Sequence, residues 1–213
     1  MKKMNLPNKL TLLRIAFVPL VMAAILIRFP FHDLAAGLLF GAAAITDAFD
    51  GKIARRDNLI TDFGKFADPL ADKILVISVL VCFTQIGRCG AIPLCVIIFR
   101  EFAVTSVRLV AASNGKVIAA NMWGKVKTVS QIVAIVAIFV MGTAMEVICL
   151  ALTGSVLPAT LGEITDYGAA GTLAVCSLIF HIAATILIWI TAVITVISGV
   201  KYLVDNKEVI SDM

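Results

Sequence analysis

Charge is what this 213-residue chain has least of. Asp, Glu, Lys and Arg together make up 15% of it, against 61% hydrophobic residues, and the mean hydropathy is +1.03. A soluble domain of this length needs far more polar surface, so an all-α integral membrane protein is the expected class. Cysteine is also scarce. Cys82, Cys89, Cys95, Cys149 and Cys176 are odd in number, lack CxxC spacing and fall mostly in apolar runs, which reads as small core or lipid-facing hydrophobes, with a Cys89–Cys95 bridge as the minority alternative. Histidine occurs twice, His32 in an outer loop and His181 alone in an apolar run, where packing is its simplest role. No low-complexity tract, internal repeat or dividing linker interrupts the chain, so residues 1–213 are expected to form a single membrane domain. The net charge of +4 calls for no nucleic-acid partner.

What is present is a series of apolar runs near the roughly 20 residues that a membrane-crossing helix requires. They predict six transmembrane helices near 10–29, 33–52, 69–88, 91–113, 128–152 and 172–201. Before them lies a basic amphipathic segment, MKKMNLPNKLTLLR, which lacks a small-residue cleavage site and so is not expected to be a removed signal peptide. With the N-terminus inside, segments 1–14, 52–73, 100–127 and 201–207 carry 16 of the 18 Lys and Arg residues, leaving Arg28 and Arg88 outside. That asymmetry follows the positive-inside rule, and the 153–170 connection, with Glu163 and Asp166 but no Lys or Arg, fits the outer side. Both termini are then cytoplasmic.

Four aspartates stand at the inner ends of the second and third runs. Asp47 and Asp50 are spaced i, i+3, and Asp68 and Asp72 i, i+4, so each pair shares a helix face. Packing of the second helix on the third, across a short connection, brings all four carboxylates to one depth at the cytoplasmic interface. An aspartate at the centre of a membrane helix costs roughly 3 kcal/mol, less near its edge, and four like charges repel. A hard divalent cation compensates such an all-oxygen set: Mg²⁺, with Mn²⁺ or Ca²⁺ as alternatives. Gly51 and Gly64 sit at no obvious turn and permit close approach of a backbone or ligand. Arg55, four residues beyond Gly51, offers a planar fork suited to phosphate, or an interfacial anchor. Asp33, Asp57 and Asp62, taken singly, read as solvated caps, Trp123 as an interface anchor and Trp189 as a buried packing group.

The pattern Asp47-x2-Asp50-Gly51-x2-Ala54-Arg55-x8-Gly64-x3-Asp68-x3-Asp72 fills eight specified positions at fixed spacing across 26 residues. It resembles the signature of the CDP-alcohol phosphatidyltransferase family, and the six-helix layout extends the resemblance to nearly the whole chain. In that family a cytidine diphosphate-linked lipid donates its phosphatidyl group to an alcohol and releases CMP. The resemblance implies that Asp47, Asp50 and Asp68 ligate metal, with two ions expected, and that Asp72 both ligates metal and serves as general base. It implies that Gly51, Arg55 and Thr61 contact the donor's diphosphate, with Gly64 beside them, and that the opening Asn8–Thr11 stretch (NKLT) contacts its nucleotide; Thr11 alone reads equally as a helix cap.

A second cluster concerns the acceptor. REFAVTSVR holds Arg100, Glu101, Thr105 and Arg108, and GKVKTVSQ holds Lys125, Lys127, Thr128 and Gln131. Arg100 lies deep in the fourth run, too deep for routine anchoring, and its neighbour Glu101 suggests a buried polar network. Four cations beside an anionic metal site imply a substrate that carries its own phosphate. The RE-x6-R and GKxKTxxQ patterns resemble those of phosphatidylglycerophosphate synthases, which implies CDP-diacylglycerol and glycerol 3-phosphate as substrates and an enzyme of the cell (inner) membrane with a cytoplasmic active site. Phosphatidylglycerol, inositol phosphate or serine as acceptor remain alternatives, as do a cation transporter and a non-catalytic scaffold. Against the transporter, the carboxylates lie at the membrane edge and no broken mid-membrane helix pair is visible. The long sixth helix is a candidate homodimer surface.

The charge split predicts the outcome of cysteine labelling. Cysteines introduced near Arg56 and Lys116 should react only from the inside and one at Glu163 only from the outside. Labelling of positions 56 and 163 from one side would break the six-span topology.

Overall fold

The computed structural model of the chain describes residues 6–56, 62–113, 122–156 and 167–207, with side chains at 15–46, 73–112, 122–156, 168 and 170–207. Six helices, and no strand among the described residues, follow in the order α1 (Leu6–Leu26), α2 (His32–Arg56), α3 (Asp62–Gln85), α4 (Ala91–Ser113), α5 (Met122–Thr153) and α6 (Tyr167–Asp205). Each corresponds to one predicted run: α2, α5 and α6 extend beyond it at both ends, α4 coincides with it, and α1 and α3 start earlier but end three residues short of it. The 39 residues of α6 extend about 58 Å at 1.5 Å per residue, nearly twice a hydrocarbon core. Hydropathy falls where charges begin, whereas the backbone hydrogen-bond ladder continues until a residue breaks it. For the same reason the opening stretch from Leu6 onward is no separate amphipathic element but the first turns of α1.

The breaks have local causes. At the end of α3, Gly87 adopts φ 78°. Its N–H donates to the Thr84 carbonyl (3.2 Å) and the Arg88 N–H to the Phe83 carbonyl (2.7 Å), the paired bonds of a Schellman cap. Gly154, at φ 71°, ends α5 with one bond from its N–H to the Leu150 carbonyl. The reversal from α1 to α2 turns through Pro30 and Phe31, the latter at φ 59°, and delivers His32 to the first position of α2.

Among the described residues α5 packs on α6 and α2, α1 on α2 and α3, α4 on α6 and α3, and α3 on α5. Direct packing of α2 on α3 is the expectation; among the described residues both pack on α1 and α5, and the segments in which the two would meet lie outside the described side chains. Phe139 of α5 sits at the centre, 5.1 Å from the Phe83 ring in an edge-on contact and 6.1 Å from Phe40. Phe40, Phe83, Ile97, Ile135 and Ile138 are all but inaccessible around it.

The exterior is apolar instead. Phe99, Ile92, Leu38 and Val140 are among many large hydrophobic side chains facing outward, while Asp33, Glu101, Lys127, Gln131 and Glu146 are buried. This inversion suits a lipid solvent, where apolar groups need no shielding and polar groups must find partners inside. Met122–Thr153 and Ala170–Asp205 are, among the described residues, long and apolar enough to cross a membrane. All five cysteines are free, so Cys89 and Cys95 form no bridge. Trp189, expected to be buried, is 44% exposed, as a lipid-facing aromatic can be.

Replacing Phe139 with Ala leaves a cavity between Phe40 and Phe83, and such truncations cost about 3–5 kcal/mol. Thermal unfolding in detergent should show a large drop in midpoint; an unchanged midpoint would remove Phe139 from the centre of the core.

Candidate functional site

Arg100 and Glu101 lie near the middle of α4, on a helix that packs on α6 and α3 but forms no packed pair with α5 among the described residues. The space left beside α5 is a cavity of about 560 Å³. Its wall includes Lys73, Arg100, Glu101, Thr105, Lys127 and Ser198, and its rim Arg108 and Lys125. Arg108 and Lys125 are exposed, whereas Lys127 and Glu101 are buried.

One carboxylate organises the wall. Glu101 forms ion pairs with Lys127 of α5, with Arg100 of α4 at 3.2 Å and with Lys73 of α3 at 3.8 Å. Arg100 also donates to the Ser198 hydroxyl of α6 at 2.8 Å. Its stem crosses α6 at Gly199, where a Cβ would come within 2.9 Å of Arg100 Cγ. Lys73 bonds the Thr105 hydroxyl, which in turn donates to the Glu101 carbonyl at 2.7 Å. Among the described residues three cations thus face this carboxylate, and Arg108, stacked 5.8 Å above the Tyr202 ring, adds a fourth at the rim. Arg100 Nε, Gln131 Nε2 and the Tyr202 hydroxyl are buried without hydrogen-bond partners among the described residues. An unmet buried polar group costs about 1–3 kcal/mol. A surplus of positive charge and unmet donors suits an anion rich in acceptor oxygens, such as a phosphate.

A smaller cavity of about 260 Å³ shares Lys73, Glu101, Lys127 and Thr128 with the first and continues to Gln131 and to Ala44 of α2. Ala44 is three residues before Asp47, and Lys73 is the residue after Asp72. The two cavities therefore run from the cation cluster toward the segments of α2 and α3 that carry the aspartates. Asp47, Asp50, Gly51 and Arg55 fall within α2, Gly64, Asp68 and Asp72 within α3, and Asn8 and Thr11 within α1, but their side chains lie outside the described residues, as does Thr61 altogether. Gly51 and Gly64 are interior to helices and not at turns.

The structure brings Arg100, Thr105, Arg108, Lys125 and Lys127 to one cavity. Lys73, Ser198 and Tyr202 join them without having been singled out. Lys73 had a signal, its adjacency to Asp72; Ser198 and Tyr202 had none, being isolated polar groups in an apolar run.

Residues 4–159 match the family model described as CDP-alcohol phosphatidyltransferase. The chain is 46% identical, over 68% of its length and 81% of the relative's, to a protein of Bacillus subtilis (strain 168) named CDP-diacylglycerol–glycerol-3-phosphate 3-phosphatidyltransferase. A protein of the same name from Rickettsia bellii is 33% identical over 96% of both chains. A probable phosphatidylglycerophosphate synthase of Mycobacterium tuberculosis is 42% identical over 62% of this chain and 64% of its own length.

Replacing Glu101 with Gln leaves Lys127 and Arg100 buried without their counter-charge, a change that typically costs about 3–5 kcal/mol. The unfolding midpoint should fall, and millimolar inorganic phosphate should restore part of the loss. A midpoint equal to that of the unaltered protein would show that the cations do not depend on this carboxylate.

Proposed function

The chain belongs to the CDP-alcohol phosphatidyltransferase family, and on that premise we propose that it transfers the phosphatidyl group of CDP-diacylglycerol to sn-glycerol 3-phosphate, giving phosphatidylglycerophosphate and CMP. The observation that carries the acceptor assignment is the cavity that gathers Lys73, Arg100 and Lys127 around Glu101, with Arg108 and Lys125 at its mouth. A phosphomonoester brings negative charge to a cavity so lined with cations, whereas a neutral acceptor brings none. The names of the Bacillus subtilis and Rickettsia bellii relatives support the same substrates.

In this reading Asp47, Asp50, Asp68 and Asp72 hold Mg²⁺, with two ions between the four carboxylates and Mn²⁺ as an alternative. The donor set fits a hard ion, being oxygen only, and both helices run unbroken through the four positions. Bound there, the ions offset the negative charge that develops as the diphosphate is cleaved. Gly51, Arg55, Thr61 and Gly64, with Asn8 and Thr11 of α1, hold the nucleotide and its phosphates. Arg100, Thr105, Arg108, Lys125 and Lys127 hold the phosphate of the acceptor. Its primary hydroxyl is then directed toward Asp72, which takes the proton as that oxygen attacks the phosphatidyl phosphorus. One P–O bond forms, the P–O bond to the CMP phosphate breaks, and CMP leaves. In the same reading, supported by the distribution of Lys and Arg along the chain, six membrane crossings put the site at the cytoplasmic face of the cell (inner) membrane, where the cytidine stays in water and the acyl chains in lipid; the exposed face of α6 is the candidate surface for a homodimer.

An acceptor screen on the purified protein, with CDP-diacylglycerol and Mg²⁺ and the product identified by mass, tests the assignment. Glycerol 3-phosphate should be consumed, and EDTA should abolish turnover. Consumption of phosphatidylglycerol, inositol phosphate or serine in its place would overturn the acceptor, and full turnover in EDTA would overturn the metal.

Kinetic variants separate the two halves of the site. A charge-assisted contact is worth about 1.5–3 kcal/mol, so Arg108→Ala or Lys125→Ala should raise KM for glycerol 3-phosphate tenfold or more, with little change for CDP-diacylglycerol. Asp72→Asn should instead lower kcat by about 10²–10⁴ while donor binding persists. Near-normal turnover by Asp72→Asn would remove it as the base.

A further inference from the structure

A second polar cluster lies at the far end of the bundle. Glu146 follows Lys127 by 19 residues on α5, roughly 28 Å along the helix. There His32 and Asp33 at the start of α2 meet Glu146 and Arg88 around a cavity of about 360 Å³. Asp33, which as a single residue suggests a solvated cap, is 1% exposed and pairs bidentately with Arg88 at 2.5 and 2.6 Å. His32 belongs to no loop but to the first turn of α2, with Nδ1 2.9 Å from Glu146 Oε1 and 3.6 Å from Asp33 Oδ2. Gly142 makes the convergence possible, since a Cβ there would collide with the Asp33 carboxylate.

The cluster is unfinished. Glu146 is 8% exposed, yet its Oε2 has no hydrogen-bond partner among the described residues. The short His32–Glu146 separation lacks hydrogen-bond alignment, which leaves His32 Nδ1 unmet as well. Arg88 is committed to Asp33 and stacks 5.1 Å from the Phe180 ring, so it does not complete Glu146. One imidazole nitrogen and two carboxylate oxygens lie within 4.8 Å of one another. Around a tetrahedral ion with metal–ligand distances of about 2.0–2.2 Å, donor atoms sit about 3.3–3.6 Å apart. The two separations from His32 Nδ1, 2.9 and 3.6 Å, span that spacing.

We propose that His32, Asp33 and Glu146 form a binding site for a first-row divalent ion, with Zn²⁺ the best match to a mixed nitrogen and carboxylate set. The ion takes His32 Nδ1, one oxygen of Glu146 and one of Asp33. Arg88 remains hydrogen-bonded to the Asp33 carboxylate, the kind of outer partner that orients a ligating group. Such an ion clamps the start of α2 to α5, at the end of α2 opposite Asp47 and Asp50. The proposal is independent of the transferase reaction.

The test is Zn²⁺ binding to chelator-stripped, detergent-purified protein in excess Mg²⁺, which occupies any hard-ion site at the aspartates. One Zn²⁺ per chain should bind and raise the unfolding midpoint, and Co²⁺ in its place should give visible absorption bands of a low-coordinate site. His32→Gln and Glu146→Gln should each weaken binding roughly tenfold or more, and Asp47→Asn should leave it intact. Absence of a stoichiometric ion overturns the proposal, and so does binding that survives both the His32→Gln and Glu146→Gln substitutions or is lost in Asp47→Asn. His32→Gln alters a partly accessible side chain and keeps the test valid should Glu146→Gln not fold.

Discussion

Glu101 holds α3, α4 and α5 in register through one carboxylate. Lys73, Arg100 and Lys127 reach it from those three helices, and Arg100 extends the link to Ser198 of α6. Because α4 and α5 are not a packed pair among the described residues, the Glu101–Lys127 contact spans a gap without closing it. The same ion pair that ties the helices together therefore keeps a cavity open between them. In a low-dielectric interior such a group is strongly coupled to its partners, and removing either side leaves a charge that nothing else can solvate.

The rest of the bundle follows from placing polar groups inside an apolar skin. Two charged clusters occupy its ends, one around Glu101 and one around Asp33 and Glu146, and the phenylalanine-centred core of Phe40, Phe83 and Phe139 separates them. Glycine at 142 and 199 is what lets charged side chains cross from one helix to the next at close range. Packing in lipid gains little from apolar contact alone, so close approach and polar pairing carry more of the specificity.

Much of this was legible in the order of the residues. Six apolar runs foretold six helices, and the RE-x6-R and GKxKTxxQ segments named seven side chains that the fold gathers at one cavity, Glu101 and Thr128 among them. Helix ends were not legible, because Gly87 and Gly154 set them through φ, not through hydropathy. Nor was the company of Asp33 and His32. An aspartate at the start of a helix looks like a cap until Arg88, 55 residues later, arrives to pair with it. Ser198 is 98 residues from the arginine it binds, and no local pattern encodes a contact of that range. The spacing of Asp47, Asp50, Asp68 and Asp72 assigns them to shared helix faces, and the helices α2 and α3 do run through those positions.

The charges of α4 also bear on how the chain is made. Among the described residues α4 is not one of the helices long and apolar enough by composition to cross a membrane, and an unpaired Arg costs up to roughly 2.5–3.5 kcal/mol at the centre of a membrane-crossing helix and less toward its ends. Its partners lie downstream: Lys127 on α5 and Ser198, 98 residues after Arg100, on α6. At about 5–20 residues per second, the ribosome completes Ser198 some 5–20 seconds after Arg100. For that interval Arg100 exists without the hydroxyl it later binds, and its polar contacts are complete only once α6 has been made.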